Sequence, residues 1–290
     1  MITSRQAIVG GDVALHYDEL DHFYRDVWGE HVHHGLWLRG DESRQEAVRA
    51  LVHLVAKEGQ IEKGARVCDI GCGYGATARV LAEEYGSQVT AMTISPAQHA
   101  FAESLAGGGG NPRYLLGDWL QNDLPENSFD VAIAIESSEH MPQLAGFFAQ
   151  AQRVLRPGGR LVVCAWMACD RPSPVQERWL LEPICREGRM PNMGTMSDYV
   201  RLAESSGFEI ERTQDMSRQV ESTWPRIART FLGKLCLRPR YLRFLFHRHA
   251  RNRVFAFTVF RIWLAYRTGA MRYGVLTARK IADCASRIVD

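Results

Sequence analysis

Apolar residues along the chain change their spacing near residue 65. Before that point, residues 11–57 are predicted to be largely helical, with helical spacing in ESRQEAVRALVHLVA and one break at EHVHHGLWLRGDE. After it, short apolar runs predict strands, which alternate with segments of helical spacing. The predicted strands are ARVCDI, SQVTAMTI, PRYLLG, FDVAIAI and RLVVCAWM, and the predicted helices are ATARVLAEEYG, SPAQHAFAESLA and LAGFFAQAQRVL. This alternation predicts an α/β fold with a parallel, doubly wound sheet.

The C-terminal part adds a further helix and strand in MSDYVRLAESSGFEIERT and a closing strand in RYGVLTARK. Between these two units lies a segment rich in arginine and aromatic residues, which we predict to be a helical insertion. We therefore divide the chain into an N-terminal helical lid (1–60), a core (61–221), a basic helical cap (222–268) and the final strand with its tail (269–290).

The composition suits one globular domain with an inserted cap, because 46% of the 290 residues are hydrophobic and 23% are charged. The net charge of +2 hides an asymmetry, since no Asp or Glu occurs from Ser222 to Ala282. Seven cysteines without a CxxC pair indicate neither a disulfide framework nor a zinc site. The N-terminus lacks the apolar core of a signal peptide, and the longest late apolar run, VFAFTVF, is too short to span a bilayer. We expect a cytoplasmic protein.

A glycine-rich turn follows the first predicted strand and opens a helix. It reads Asp69-Ile-Gly71-Cys72-Gly73-Tyr-Gly75, and glycines allow the backbone to turn tightly and to approach a ligand. The same stretch also fits the G-x-G-x-x-A fingerprint of dinucleotide-binding proteins. The second predicted strand ends at Thr93, however, where such proteins carry an acid that binds the ribose. The turn therefore favours a nucleotide-like ligand other than NAD.

Three titratable residues, Glu136, Glu139 and His140, follow the buried strand FDVAIAI. In doubly wound folds the carboxyl ends of the strands form the ligand crevice. These residues therefore belong either to an ordinary polar loop or to the edge where a reaction occurs. In the second case His140, or a desolvated Glu139, would accept a proton. In the first case Glu139 caps a neighbouring loop and His140 packs in the wall.

DIGCGYG resembles motif I of the class I S-adenosylmethionine-dependent methyltransferases. AMTISPAQ is similar to the T-hydrophobic-S-x-x-Q segment of the γ-tocopherol methyltransferase-like enzymes and of the related cyclopropane fatty acid synthases. GDWLQNDLPENSFDVAIAIESSEHMP resembles the γ-tocopherol group, as do RVLRPGGRLVVCAWMACD and GAMRYGVLTARK. The resemblance covers nearly the whole chain. It implies S-adenosylmethionine as cofactor and a Rossmann-like seven-stranded sheet, with a helical lid and a helical cap before the last strand.

The resemblance also implies roles for individual residues. The methionine part of the cofactor would lie against Asp69, Gly71, Cys72, Gly73 and Gly75. The ribose and adenine would contact the residues after the second and third strands, which are Thr93, Ile94, Gln98, Asp118 and Trp119. Asp118 would accept from the adenine amino group, and Trp119 would cover the ring or serve ordinary packing. The lid residue Tyr17 would touch the cofactor or pack in its helix.

The catalytic candidates are Glu139, His140, Glu136 and His34, of which Glu136 would also contact the cofactor. His34 belongs to HVHHGLW, which is similar to a segment of the family's N-terminal lid. His31 and His33 lie beside it, but no carboxylate–histidine pair has clear ligand spacing, so we expect no metal.

The resemblance implies methyl transfer to a hydrophobic small molecule and favours a carbon atom of a prenyl or terpenoid, sterol, phenol or quinol. The alternatives are O- or N-methylation of a natural-product phenol or amine and, from another class, an NAD(P)-dependent oxidoreductase. The basic segment 222–268 is interpreted as a substrate cap, as a contact with an anionic membrane surface, or as a site for a substrate phosphate. Nucleic acid is not expected, and the oligomeric state is left open.

Overall fold

A computed structural model describes residues 1–237 and 255–282. The strands are β1 (Ile2–Thr3), β2 (Arg66–Ile70), β3 (Gln88–Thr93), β4 (Arg113–Leu116), β5 (Phe129–Ile135), β6 (Leu155–Ala168), β7 (Asn192–Met193), β8 (Phe208–Asp215) and β9 (Met271–Lys280). The helices of the described ranges are α1 (Gly10–Glu19), α2 (Asp21–Val27), α3 (Arg44–Glu58), α4 (Ala76–Tyr85), α5 (Pro96–Ser104), α6 (Leu144–Val154), α7 (Pro174–Gln176), α8 (Glu182–Glu187), α9 (Met196–Ser205), α10 (Ser217–Val220), α11 (Thr223–Leu237) and α12 (Phe255–Arg267).

Seven strands form one sheet in the order β4-β3-β2-β5-β6-β9-β8. The pairs from β4 to β6 are parallel, as the alternation of strands and helices predicts. The last strand, β9, runs antiparallel to both β6 and β8, a direction that the alternation of strands and helices does not specify. Of the described residues between β8 and β9, α11 and α12 belong to the cap.

Two apolar cores cover the two faces of the sheet. On one face α3 and α4 bury Leu51, Val55 and Leu81, and the cap helices join the same core through Ile227 and Ile262. On the other face α6 and α9 pack their apolar stripes against the strands, and the buried residues include Phe147, Phe148, Val154 and Tyr199. The alternation of strands and helices thus produces the layered packing expected of this class.

The predicted N-terminal helical region consists of α1, α2 and α3, and its predicted break lies between α2 and α3. The predicted cap contributes α11 and α12, while residues 238–254 of the cap and 283–290 of the tail lie outside the described residues. The boundaries 1–60, 61–221, 222–268 and 269–290 stay predictions. In the part of the chain that the structure describes, every helix is too short or too polar to cross a membrane.

Candidate active site

The glycine loop joins β2 to α4 at the carboxyl edge of the sheet. All three of its glycines adopt positive φ, +78° at Gly71, +55° at Gly73 and +75° at Gly75. A Cβ at Gly71 would lie 2.3 Å from Cβ of Ser137, so packing alone requires a glycine there. A Cβ at Gly73 would meet only Nε2 of Gln98, at 3.9 Å, and would point into a cavity. Gly73 therefore keeps open a space that the fold itself does not need.

Gly75 and Cys72 serve the geometry of the loop. Gly75 is the N-cap residue of α4, and a Cβ on it would lie 2.4 Å from the ring of Tyr114. The backbone amides of Gly71 and Cys72 donate to the carbonyl of Met92 at 2.9 and 2.8 Å, which ties the loop to β3. These contacts hold the loop open at the sheet edge.

Asp69 is a buried acid at the end of β2. Its Oδ2 has no hydrogen-bond partner among the described residues, and burial raises the pKa of its carboxyl to about 7. A polar atom left unpaired in this way is costly. Asp69 lines a small cavity together with Cys72 and Gly73. The cationic amino group of an amino-acid moiety fits this acceptor, because it would supply both a donor and a positive charge.

Thr93 and Gln98 form a buried pair where β3 ends. The Thr93 hydroxyl donates to Oε1 of Gln98 at 2.8 Å, which leaves the amide nitrogen of Gln98 on the side of Gly73. A donor group thus stands where many nucleotide-binding proteins have a carboxylate. Ile94 lines the same cavity.

Asp118 and Trp119 follow β4 and line the far end of that cavity. Oδ1 of Asp118 accepts from the amide of Leu120 at 2.9 Å and caps the 3-10 turn Trp119–Gln121, so Oδ2 is the oxygen left for another donor. Trp119 is buried, and its Nε1 donates to the carbonyl of Phe147 at 3.3 Å. Trp119 therefore serves core packing and also forms part of the cavity wall.

Helix α1 covers the cavity from the N-terminal side. Gly10, Val13 and Tyr17 line it, and this spacing puts all three on one face of the helix. The helix is anchored by Asp18, whose Oδ1 accepts from the hydroxyl of Ser95 at 2.6 Å. Sequence reasoning missed Gly10 and Val13, although their spacing from Tyr17 was a usable signal.

Glu136 lies at the end of β5 with φ of +54°, a left-handed conformation that is costly for a residue with a side chain. Its Oε1 accepts from the amide of His34 at 2.7 Å, from Nδ1 of His34 at 3.0 Å and from the hydroxyl of Tyr273 at 2.8 Å. Its Oε2 accepts from Nε1 of Trp166 at 2.7 Å. Burial raises the pKa of Glu136, but the hydrogen bonds and the imidazole of His34 more than offset this and leave its pKa below the ordinary value. Glu136 is therefore a fixed, buried anion.

His34 holds Glu136 in place and is itself surrounded by aromatic rings. Nε1 of Trp224, which can only donate, lies 2.7 Å from Nε2 of His34. Nδ1 of His34 therefore carries the proton that is donated to Glu136. The aromatic rings within 6 Å of His34 belong to Trp166, Trp224, Tyr266 and Tyr273.

His140 ends the 3-10 turn Ser138–His140 and connects two elements. Its Nδ1 lies 3.1 Å from the carbonyl of Arg189, and its Nε2 lies 3.0 Å from the hydroxyl of Tyr17. A carbonyl only accepts, so Nδ1 carries the proton and Nε2 accepts from Tyr17. Burial lowers the pKa of His140, which keeps the ring neutral at pH 7. Nothing in the sequence singles out Arg189, because its contribution is a backbone carbonyl.

Glu139 is buried beneath the turn and lines neither the glycine-lined cavity nor the aromatic cavity described below. Its Oε1 accepts from the backbone amide of Trp166 at 3.0 Å, and its Oε2 accepts from the hydroxyl of Ser138 at 3.2 Å. Burial raises the pKa of Glu139 to about 8. These contacts tie the turn to β6.

A second cavity lies between the N-terminal helices, the sheet edge and the cap. Its walls are mainly aromatic and aliphatic, and they include Tyr24, Trp28, Trp166, Ile184, Met190, Trp224 and Ile262. The first cavity, with the glycine loop, and this second one share Tyr17, Val32, Glu136 and His140. We call these four residues the junction. Sequence reasoning missed the aromatic walls, because their residues come from five separate segments of the chain.

The histidines of the lid form a hydrogen-bonded chain. Nδ1 of His33 donates to the carbonyl of His34 at 2.8 Å, and its Nε2 lies 3.1 Å from Nδ1 of His31. Within residues 1–237 and 255–282, no three His, Cys, Asp or Glu side chains are grouped as metal ligands.

Comparison with known proteins assigns the family. The family described as mycolic acid cyclopropane synthetase matches residues 6–235. The chain belongs to this family of S-adenosylmethionine-dependent methyltransferases. It is 30% identical over 273 residues to 27-O-demethylrifamycin SV methyltransferase of Amycolatopsis mediterranei, covering 93% of this chain and 97% of that one. It is 33% identical over 235 residues to a probable tocopherol O-methyltransferase of Oryza sativa subsp. japonica, covering 74% of this chain.

The match spans 64% of the length of the rice protein. Among solved structures, the [4+2]-cyclase SpnF is 26% identical with a TM-score of 0.81, covering 97% of this chain and 100% of that one. A protein with this fold can thus be named for another reaction, so the reaction has to be argued from the site. The assignment confirms the resemblance and the cofactor inferred from the sequence, and it sets aside the alternative of an NAD(P)-dependent oxidoreductase.

Proposed function

We propose that this methyltransferase acts on a hydrophobic small molecule that binds in the aromatic cavity. The observation that supports this most is that the glycine-lined cavity and the aromatic cavity meet at the junction. S-adenosylmethionine supplies a methyl group already activated on a sulfonium, so the protein needs chiefly to align the acceptor and exclude water. The four residues of the junction would surround the point of transfer.

The first cavity offers a partner for each polar part of the cofactor. Asp69 would bind the amino group of the methionine moiety, and the amide nitrogen of Gln98 would bind the ribose hydroxyls. Oδ2 of Asp118 would accept from the adenine amino group, against Ile94 and Trp119. These roles remain proposals, and they rest on the unpaired oxygen of Asp69 and on the orientation of Gln98 by Thr93.

The charge of the second cavity favours an acceptor that becomes positive when it is methylated. Glu136 is a buried anion at the junction, and the cavity beyond it has aromatic walls. Aromatic faces and a fixed anion both stabilise a cation in a dry site. An alkene or ring carbon becomes cationic on methylation, so a prenyl, terpenoid or sterol carbon or a carbon of a phenol or quinol ring fits best.

We assign the proton acceptor to His140. A carbon acceptor loses a proton after it has been methylated, and a neutral imidazole with a free lone pair is suited to take it. Nε2 of His140 is unprotonated and faces the junction, and the hydroxyl of Tyr17, which now donates to it, would give way to the proton of the acceptor. Glu139 instead has a positioning role, because it binds the backbone of Trp166 and lines neither the glycine-lined nor the aromatic cavity.

O-methylation is a second candidate. His140 could equally take the proton of a phenol, and the two relatives described above are named for methylation at oxygen or for a 27-O-demethyl substrate. Carbon methylation and O-methylation differ in which residue contributes most to the rate. Carbon methylation requires the anion of Glu136, whereas O-methylation produces no lasting positive charge on the acceptor.

The discriminating experiment measures transfer of labelled methyl from S-adenosylmethionine to prenylated quinols, sterols, terpenoids and phenols. The methylated atom is then located by NMR. Carbon methylation predicts a larger loss of kcat in Glu136→Gln than in His140→Ala, and O-methylation predicts the reverse order. Unchanged turnover in both variants would contradict the proposed site.

We also propose that the cap helices contact an anionic membrane, from which a hydrophobic acceptor could enter. Phe260 on α12 and Trp179 in the π-helical turn after α7 are both 63% exposed, and Val175 is 66% exposed. Helix α12 also lines the acceptor cavity through Ile262, and α8, which follows the π-helical turn directly, lines it through Ile184. The absence of acidic residues from 222 to 282 adds the positive charge that attracts anionic lipid. The predicted cytoplasmic location stays a prediction.

Vesicle sedimentation tests the membrane contact. Binding to vesicles that contain phosphatidylglycerol, but not to pure phosphatidylcholine, is expected for the native chain. Trp179→Ser and Phe260→Ser should weaken it, whereas Leu116→Ser, which removes an exposed leucine at the far edge of the sheet, should not. Equal binding by all four proteins would refute the contact.

A further inference from the structure

The loop after α8 controls which nitrogen of His140 carries the proton. The carbonyl of Arg189 lies 3.1 Å from Nδ1 of His140 and can only accept a hydrogen bond. It therefore favours the tautomer with the proton on Nδ1. The lone pair of Nε2 then faces the hydroxyl of Tyr17, at the junction of the two cavities.

The other tautomer would disable the same ring. With its proton on Nε2, a neutral His140 would donate towards the junction and could not accept a proton there. It would also face the carbonyl of Arg189 with a lone pair, so two acceptors would meet in a buried place. The direction of this one carbonyl thus decides whether His140 can work as a base.

The backbone that aims this carbonyl is strained. Arg189 has φ of +54°, in the left-handed region that residues with a side chain seldom adopt. Its neighbours Gly188 and Met190 line the acceptor cavity. A strained residue at such a place persists only when its surroundings impose the conformation.

The surroundings of the loop do impose it. The amide of Met190 donates to the carbonyl of Cys185 at 2.8 Å, which fixes the loop to the end of α8. On the other side β7 pairs with β1, where Ile2 is opposite Met193. The amide of Ser4 donates to the carbonyl of Pro191 at 3.0 Å. The N-terminal strand therefore clamps the loop that carries Arg189.

We propose that Arg189 is a positioning residue whose left-handed backbone sets the tautomer of His140. The side chain of Arg189 takes no part in positioning His140, since it extends outwards to Gln6. The effect on the rate rests on the proposed function, in which His140 accepts the proton. The tautomer itself is a property of the protein without any substrate.

Two substitutions separate the backbone from the side chain. Arg189→Gly removes the side chain but keeps the left-handed conformation accessible, so it should preserve the tautomer and the kcat/KM of the native enzyme. Arg189→Val carries a β-branched side chain that resists positive φ, so it should turn the carbonyl away. It should then mix the two tautomers and lower kcat/KM about tenfold or more, a part of the roughly 100- to 10,000-fold contribution of a proton-transfer group.

The direct readout is nitrogen NMR of protein labelled with ¹⁵N-histidine, with the His140 signals assigned by their loss in His140→Ala. The native protein should show a protonated Nδ1 and an unprotonated Nε2. A native protein with the proton on Nε2 would overturn the proposal, as would an Arg189→Val protein with an unchanged tautomer. Thermal unfolding and S-adenosylhomocysteine binding show whether Arg189→Val remains folded. If it does not, the spectrum of the native protein still tests the proposal, because it reports the tautomer of His140 directly.

The outcomes also separate this inference from the proposed function. If His140→Ala keeps the native rate of methyl transfer, the proposed role of His140 fails while the tautomer assignment stands. If His140→Ala is impaired but the native ring is protonated on Nε2, the positioning by Arg189 fails and the proposed function survives.

Discussion

Gly73 offers the sharpest separation of cofactor binding from folding. A Cβ at this position meets only Nε2 of Gln98, at 3.9 Å, so the protein has room for a methyl group. That room belongs to the cavity in which we place the cofactor. Gly73→Ala should therefore fold almost normally and bind S-adenosylhomocysteine poorly.

The two costs can be estimated separately. An alanine at φ of +55° is strained by roughly 1–2 kcal/mol, which lowers the free energy of unfolding by that amount. In the complex, a methyl group forced against a bound ligand costs about 1–3 kcal/mol more. That penalty corresponds to a Kd raised about 5- to 150-fold.

Gly64 provides a matched control. It has φ of +82°, no heavy atom lies within 4 Å of its Cβ position, and it lines none of the cavities that form the site. Gly64→Ala should lose a similar amount of stability in urea unfolding and keep the native affinity in calorimetric titration with S-adenosylhomocysteine. Equal affinities of Gly73→Ala and Gly64→Ala would refute the reasoning, because Gly73 would then have no ligand to accommodate.

Three further predictions concern charge. Glu136→Gln keeps one carbonyl oxygen but places an amide NH2 against one of the groups that now donate to Glu136, so the free energy of unfolding, measured in urea, should fall by about 1.5–3 kcal/mol. The control, Glu126→Gln at an exposed position, should not change the free energy of unfolding. A Glu136→Gln protein as stable as the native one would contradict the assigned contacts. Burial lowers the pKa of His140, so kcat/KM should be flat from pH 7 upwards and fall with a midpoint below pH 6.5, a limb that a pH–rate profile of His140→Ala should lack. Burial raises the pKa of Asp69 to about 7, and a cationic amino group would lower it, so binding of S-adenosylhomocysteine at pH 6.5 should release up to about one proton. Calorimetry in buffers of different ionisation heat measures that release, and its persistence in Asp69→Asn would exclude this carboxyl as the source.

The side of the site that we propose for the cofactor could be predicted from sequence because its residues are local. The glycine loop, Thr93 and Asp118 each follow a predicted strand, and the carboxyl ends of parallel strands meet at one edge. The same rule placed Glu136 and His140 at that edge. The direction of β9 was not predicted, because the alternation of strands and helices does not distinguish an antiparallel last strand from a parallel one.

The side that we propose for the acceptor could not be predicted, because it depends on long-range packing and on the backbone. Trp28, Trp166 and Trp224 converge from three distant segments, and no spacing in the sequence connects them. The direction of the Glu139 side chain is decided by the amide of Trp166, which becomes available only once β6 is in place. No feature of the sequence indicates that the backbone carbonyl of Arg189 accepts a hydrogen bond from His140.

The central claim is that the cofactor lies in the glycine-lined cavity with its sulfur at the junction. The most direct test is a crystal structure of the protein with S-adenosylhomocysteine. We predict that its amino group contacts Asp69, its adenine lies beside Asp118, and its sulfur faces Glu136 and His140. Binding elsewhere, or a sulfur directed away from the aromatic cavity, would contradict the account.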